Sequence, residues 1–261
     1  MNEPVIWITG ASSGIGEACA KKFSQEGYQV ILSSRKESEL QRVKNSCNNP
    51  ENVKILPLDL ADQSNFDSLV KKAISLFGKI DILLHNGGIS QRSLIRDTEL
   101  EVDRKLMEVN FFGTVALTKA ILPYYMERKS GHFAVVTSLV GKFASPYRSA
   151  YAASKHALHG FFDTLRAEHY QDHISVTLIC PGFIRTQVSV NALTGDGTSL
   201  GKMDDAQAKG MSPEDCTSAI FKAIKQRKEE VLIGGKETYA VYLKRFFPRI
   251  FSKILRKAKV R

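Results

Sequence analysis

The 261-residue sequence contains no run of 18 or more apolar residues, so no membrane-crossing helix is expected. Met1-Asn2-Glu3-Pro4 lacks the basic stretch and long apolar run of an export signal, and none is expected. Cysteine is scarce. Cys19, Cys47, Cys180 and Cys216 form no C-x-x-C pair, and no histidines or acids cluster around them. That argues against a disulfide scaffold and a zinc site, so no metal is expected, and the thiols read as reduced and buried in a cytoplasmic protein. There is no fixed-period repeat and no low-complexity linker. With 43% hydrophobic and 25% charged residues, whole-chain disorder and collagen-like structure are excluded.

Excess charge is absent from most of the chain as well. The net +10 is concentrated in residues 236–261, where nine Lys and Arg face Glu237 alone, giving +8. The other 235 residues hold 28 basic and 26 acidic side chains, so a nucleic-acid-binding surface on the fold is not expected.

Short β-branched runs alternate with longer amphipathic segments. Strands are predicted at 5–9, 29–33, 53–58, 80–84, 132–137, 174–180 and 230–233. Helical stretches between strands imply crossover connections and a parallel sheet. Runs such as Val5-Ile6-Trp7-Ile8 are apolar on both faces, which fits helices on both sides. Long helices are predicted at 105–126, bent or interrupted by Pro123, and at 147–169, opened by Pro146. Residues 186–211 lose all periodicity and read as a lid or substrate loop.

The first strand runs into Thr9-Gly10-Ala11-Ser12-Ser13-Gly14-Ile15-Gly16 and then a helix. Glycines there let backbone N–H groups approach a pyrophosphate, and the helix N-terminus adds partial positive charge. The second strand ends in Ser33-Ser34-Arg35-Lys36. A free ribose 2′-hydroxyl calls for an acid at that place and a 2′-phosphate for a cation, so Ser34 and Arg35 point to NADP(H). Tyr151 and Lys155 stand at i and i+4, on one helix face. A neighbouring ammonium favours phenolate and draws a tyrosine, with its pKa of about 10, toward the range useful for proton transfer at neutral pH. Ser138 follows the strand Ala134-Val135-Val136-Thr137 and can donate a hydrogen bond to a substrate carbonyl.

The turn spells TGxxxGIG, and in this the sequence resembles the classical short-chain dehydrogenases/reductases over residues 4 to about 235. The resemblance implies a single Rossmann-type doubly wound α/β domain of about seven parallel strands over residues 1–235. It also implies a catalytic set of Asn110, Ser138, Tyr151 and Lys155. Asn110 would distort its helix and hold a water linked to Lys155; Tyr151 and Lys155 would also contact the cofactor. Asp59, beside Leu60, would hold the adenine amino group, although on the residues alone it serves equally as a helix N-cap. His85-Asn86-Gly87-Gly88 departs from the family's NNAG at His85 and Gly87. Pro181-Gly182, Ile184 and Thr186 would shape the loop under the nicotinamide. A homodimer or homotetramer is the family's usual state.

Ser90, Leu139, Val140, Phe143, Tyr147 and Phe183 are expected on the substrate side with Ser138 and Tyr151. Arg92, Arg148 and Arg185 are the few cations near them. A small hydrophobic carbonyl compound or alcohol is therefore expected as substrate. Asn86–Ser93, Glu127–Lys129 and Lys155–Phe162 look like the member-7 group of the dehydrogenase/reductase series, whose animal members carry an N-terminal anchor; this chain reads as a soluble version. Residues 236–261 read as a basic amphipathic tail, either peripheral to a membrane or docked on the fold or on another subunit. The rival to an enzyme is a cofactor-binding sensor on the same fold.

Overall fold

Residues 3–258 are described by the structure, a computed structural model. Met1 and Asn2 of the expected domain, and Lys259, Val260 and Arg261 of the expected tail, lie outside the described residues. The strands are β1 (Val5–Thr9), β2 (Gln29–Ser33), β3 (Val53–Ile55), β4 (Ile82–His85), β5 (Gly131–Val136), β6 (Ile174–Pro181) and β7 (Glu230–Ile233). They form one parallel sheet in the order β3-β2-β1-β4-β5-β6-β7. The order reverses between β1 and β4, and ligands of such sheets bind beyond the strand C-termini at that switch point.

Side chains alternate between two cores, as the period of a strand requires. Val5 and Trp7 point to one face, which is covered by α3 (Phe66–Phe77), α5 (Gly113–Arg128) and α6 (Ser149–Glu168). Ile6 and Ile8 point to the other, beneath α1 (Gly14–Gln25), α2 (Glu37–Asn45) and α8 (Pro213–Lys225). The four cysteines are buried and free.

The predicted bounds of β4, β5 and β6 shift by one or two residues, and three larger departures have a physical cause. β3 stops at Ile55 because Pro57 has no N–H to give, although Leu56 and Leu58 still donate to Leu32 and Ser34 at 2.9 and 3.1 Å. Pro123 lies inside α5 without ending it; its missing bond frees the carbonyl of Lys119, an exposed residue. The interruption falls upstream. A π-helical segment, Glu108–Phe112, separates α4 (Leu100–Met107) from α5. The helix predicted from 147 begins at Ser149, because Tyr147 has a left-handed backbone (φ 67°) incompatible with a helical turn.

Candidate active site

The chain leaves β1 through Gly10 at φ 63° and enters α1 at Gly14, φ 56°. A Cβ on Gly10 would meet the Cα of Gly87 at 2.7 Å, and one on Gly16 would collide with the carbonyl of Gly10. Asn86, just past β4, ties this turn down. Its Nδ2 donates to the carbonyls of Thr9 and Gly10 at 3.2 and 3.0 Å, while its own N–H and that of Gly87 donate to Thr9 Oγ1. Ser13, at the N-cap of α1, makes no side-chain capping bond. The helix amides are thus available to an anion, and the cradle fits the pyrophosphate of a dinucleotide. Ser34 Oγ is buried with no partner, and Arg35 beside it is exposed. Arg42 of α2 is already committed. It clasps both oxygens of Glu17 at 3.0 and 2.9 Å and the carbonyl of Ser12 at 3.1 Å, holding the Glu17 carboxyl down at about 2. Asp59 is exposed and accepts from Ala61 N–H at 3.0 Å. Because α3 starts at Phe66 with Asn65 as its N-cap, Asp59 does not cap it.

The π-helical turn aims Asn110 inward. Its Oδ1 accepts from Ile89 N–H at 2.8 Å, and its Nδ2 donates to Ile89 O at 2.9 Å and Ser154 Oγ at 3.1 Å. Asn110 Oδ1 and Lys155 Nζ flank Gly88, at 3.0 and 3.7 Å from where a Cβ would sit. Lys155 Nζ donates to Val136 O at 2.8 Å, at the end of β5, and lies 5.9 Å from the centre of the Tyr151 ring. Burial pushes this ammonium down to about 8. Ser138 Oγ donates to Pro181 O at 3.3 Å and accepts from Val140 N–H at 3.3 Å.

Burial raises the Tyr151 phenol above its ordinary value. Opposing it are the positive charge of Arg92, hydrogen bonding with Ser138 and the positive charge of Arg148. Two arginines thus act on the phenol, and they meet across the site. Arg92 Nε and Arg148 Nη2 both reach Asp204 Oδ2, at 2.6 and 3.2 Å, and all three side chains are buried. Burial and the charge of Arg92 push Arg148 down to about 10. Gln91 completes the support: its Oε1 accepts from Ala150 and Tyr151 N–H at 3.0 and 3.4 Å, capping the first turn of α6.

The chain matches the family model described as short chain dehydrogenase over residues 4–196. The chain belongs to that family. It is accordingly an oxidoreductase whose cradle suits a nicotinamide dinucleotide. It is 47% identical over 264 residues to the dehydrogenase/reductase SDR family protein 7-like of Anopheles gambiae, covering 98% of this chain and 83% of that protein. To the SDR family member 7B of Xenopus laevis it is 42% identical, covering 96% and 80%. A solved short-chain dehydrogenase from Streptomyces avermitilis superposes with a TM-score of 0.81 at 26% identity, covering 98% of both chains.

Around this short-chain dehydrogenase core, the segment 186–211 is docked. Leu193 N–H donates to Ser90 O and its carbonyl accepts from Arg92 N–H, both at 2.8 Å. Gln207 Nε2 donates to Ile184 O, and Met211 pairs with Ile184. Within it, α7 (Asp205–Ala208) makes one turn. A Cβ on Gly14 would meet Thr186 Cγ2 at 3.1 Å, so the end of the Pro-Gly loop closes on the cradle. Val140 and Tyr147 are half-buried between Ser138 and Tyr151 in the chain, Phe183 is half-buried just after Pro181-Gly182, Phe143 turns its ring to Phe251, and Arg185 is exposed.

Both departures from the family's NNAG have a packing explanation. His85 is a neutral core side chain, stacked on Phe133 and bonded to Thr118 Oγ1 at 2.9 Å; burial lowers it to about 3. Gly87 leaves room for Leu60, whose Cδ1 would lie 2.6 Å from an added Cβ. His159, Cys180 and Glu230 approach one another, but His159 turns different ring nitrogens to the other two, and Lys142 takes the same Glu230 oxygen at 2.7 Å.

Gln91 and Asp204 were not anticipated, nor was the sharing of one carboxylate by Arg92 and Arg148. The only local signal was the polar run Ser90-Gln91-Arg92-Ser93, of which Ser90 and Arg92 are expected near the substrate; all four side chains are buried.

Proposed function

We propose that the chain is an NADP(H)-dependent oxidoreductase that interconverts a small hydrophobic carbonyl compound and its alcohol. The observation that carries this reading is the convergence of Asn110 and Lys155 on Gly88, beside the glycine cradle, with Lys155 Nζ 5.9 Å from the centre of the Tyr151 ring. When bound, the nicotinamide supplies or accepts the hydride.

In the reductive direction Tyr151 gives its phenolic proton to the developing alkoxide, and Ser138 Oγ donates a hydrogen bond to the same oxygen. Arg92 and Arg148 favour the phenolate left behind. Lys155 holds the nicotinamide ribose and, with Asn110, returns a proton from water to Tyr151. Asn110 also fixes the loop at Ile89. Gly10, Ser12, Ser13, Gly14, Ile15 and Gly16 hold the pyrophosphate, and Asp59, Leu60, Asn86 and Gly87 border the adenosine side. Pro181, Gly182, Ile184 and Thr186 border the nicotinamide. Ser34 and Arg35 select the 2′-phosphate; the unpartnered Ser34 hydroxyl supports this. Val140, Phe143, Tyr147 and Phe183 give the substrate an apolar surround. A homodimer or homotetramer forms through the helices that carry Asn110 and Tyr151, and the protein works in the cytoplasm.

The test follows nicotinamide absorbance with a panel of hydrophobic ketones and aldehydes, using NADPH and NADH in parallel. Tyr151→Phe is expected to lower turnover by about a hundredfold to ten-thousandfold while NADPH binding persists. Tight NADPH binding with no turnover by the unaltered chain across the panel would favour the sensor instead.

A further inference from the structure

The last described stretch of the chain forms α9 (Tyr239–Phe246) and α10 (Pro248–Leu255), and these helices have two unlike faces. Inward, Phe251 is buried with its ring edge-on to Phe143, centroids 5.3 Å apart. Just before α9, the Glu237 carboxylate lies over Gly182, 2.6 Å from where a Cβ would stand. The tail therefore sits on two segments that border the active site, the loop after Ser138 and the Pro-Gly loop.

Outward, Tyr239, Tyr242, Phe246, Phe247, Ile250 and Ile254 are each more than half exposed. Within a turn of them stand Lys244, Arg245, Arg249, Lys253, Arg256 and Lys257, all exposed, and no acid occurs between Thr238 and Ala258. Isolated exposed apolar residues need no explanation, but a contiguous set does. A second copy would bring two strongly basic surfaces face to face. A nucleic acid would satisfy the charge but leave the aliphatic Ile250 and Ile254 unused. An anionic lipid surface meets both demands, taking the apolar residues into the headgroup boundary and the cations onto its phosphates.

We propose that α9 and α10 dock the chain on an anionic lipid surface and hold the substrate mouth, between Phe143 and Gly182, at the edge of the bilayer. A hydrophobic substrate then enters from the lipid. The nature of what enters rests on the function proposed above; the docking does not.

The test uses the full chain with vesicles of phosphatidylcholine, with and without phosphatidylglycerol. Binding by co-sedimentation is expected only when phosphatidylglycerol is present. Each basic residue near the surface contributes about fivefold, so Arg249→Glu with Lys253→Glu is expected to weaken binding by at least about 25-fold. Phe246→Asp with Ile250→Asp, on the exposed face, is expected to weaken it by more than tenfold, judged from the apolar area lost. Both variants should melt with the unaltered chain. Amide exchange should slow on vesicle addition in residues 239–255 and in 139–147 together. Equal lipid binding by all three proteins overturns the docking, and slowing confined to 239–255 overturns the placement of the mouth. A fall in oligomer mass caused by Phe246→Asp in vesicle-free solution, with no lipid binding, makes the face an interface between copies and also overturns it. Failure to reduce any carbonyl leaves these readouts intact, so the two proposals fail separately.

Discussion

At the cofactor rim the surface is shaped by side chains that are missing: Gly10, Gly16 and Gly87 let three backbone segments touch, and Asn86 stitches them with neutral hydrogen bonds. At the opposite rim, beside Tyr151, it is shaped by side chains that are present, charged and buried. Arg92, Arg148 and Asp204 place two guanidiniums and one carboxylate out of water, 112 positions separating Arg92 from Asp204. The cradle is specified by steric limits and backbone conformation, which cost little to keep. The opposite rim depends on one carboxylate serving two guanidiniums and fails when Asp204 leaves, because a buried charge without its counter-charge is expensive. Binding and stability therefore separate between the two sides.

Asp204→Ala is the severest way to break this contrast. It strands two buried guanidiniums and is expected to cost about 3–5 kcal/mol of unfolding free energy, read by urea titration. Arg148→Gln leaves Arg92 and Asp204 matched one to one and should cost clearly less. Equal losses in the two variants would mean that charge balance is not what holds the segment 186–211 down.

Arg35→Ala probes the other rim. It should leave the urea midpoint in place, because Arg35 is exposed, yet lower NADPH affinity by about ten- to a hundredfold and spare NADH. A loss of the same size for both cofactors in a binding titration would remove Arg35 as the selector.

A further difference is a pH slope that belongs to the core beneath both rims. Burial lowers His85 to about 3 and His132 and His159 to about 4. The unfolded chain binds protons at these residues from about pH 6.5 downward, and the native state does so only near 3 to 4. Stability is therefore full above pH 6.5 and lost as pH falls toward 4, by about 1.4 kcal/mol per unit for each histidine. His85→Asn is expected to flatten that slope measurably. An unchanged slope would place the acid sensitivity elsewhere.

How much of this was legible depends on the range of the interaction. β1, β2 and β7 have their predicted bounds, since each is a short apolar run whose ends are set by neighbouring residues. The helix around Asn110 was legible in place, and the family resemblance implied a distortion at Asn110, but the local residues alone did not. Pro123 is tolerated, while the π-helical turn at Glu108–Phe112 has no proline or glycine within it to announce it; Asn110 engages Ile89 and Ser154, residues distant in the chain. The i, i+4 spacing of Tyr151 and Lys155 likewise located a pair, but not which charges act on the phenol.

By itself, then, the sequence determined the alternation of strands and helices and the glycine turn with its required backbone conformations, because local sterics and side-chain periodicity act over a few residues; the candidate set Asn110, Ser138, Tyr151 and Lys155 followed from its resemblance to the family. Only the tertiary structure decided that Asp204 serves Arg92 and Arg148 at once, that Gln91 caps the helix of Tyr151, and that the tail rests on Phe143 through Phe251. Those contacts join residues far apart in the chain. Their strength comes from burial, which no single segment can supply for itself.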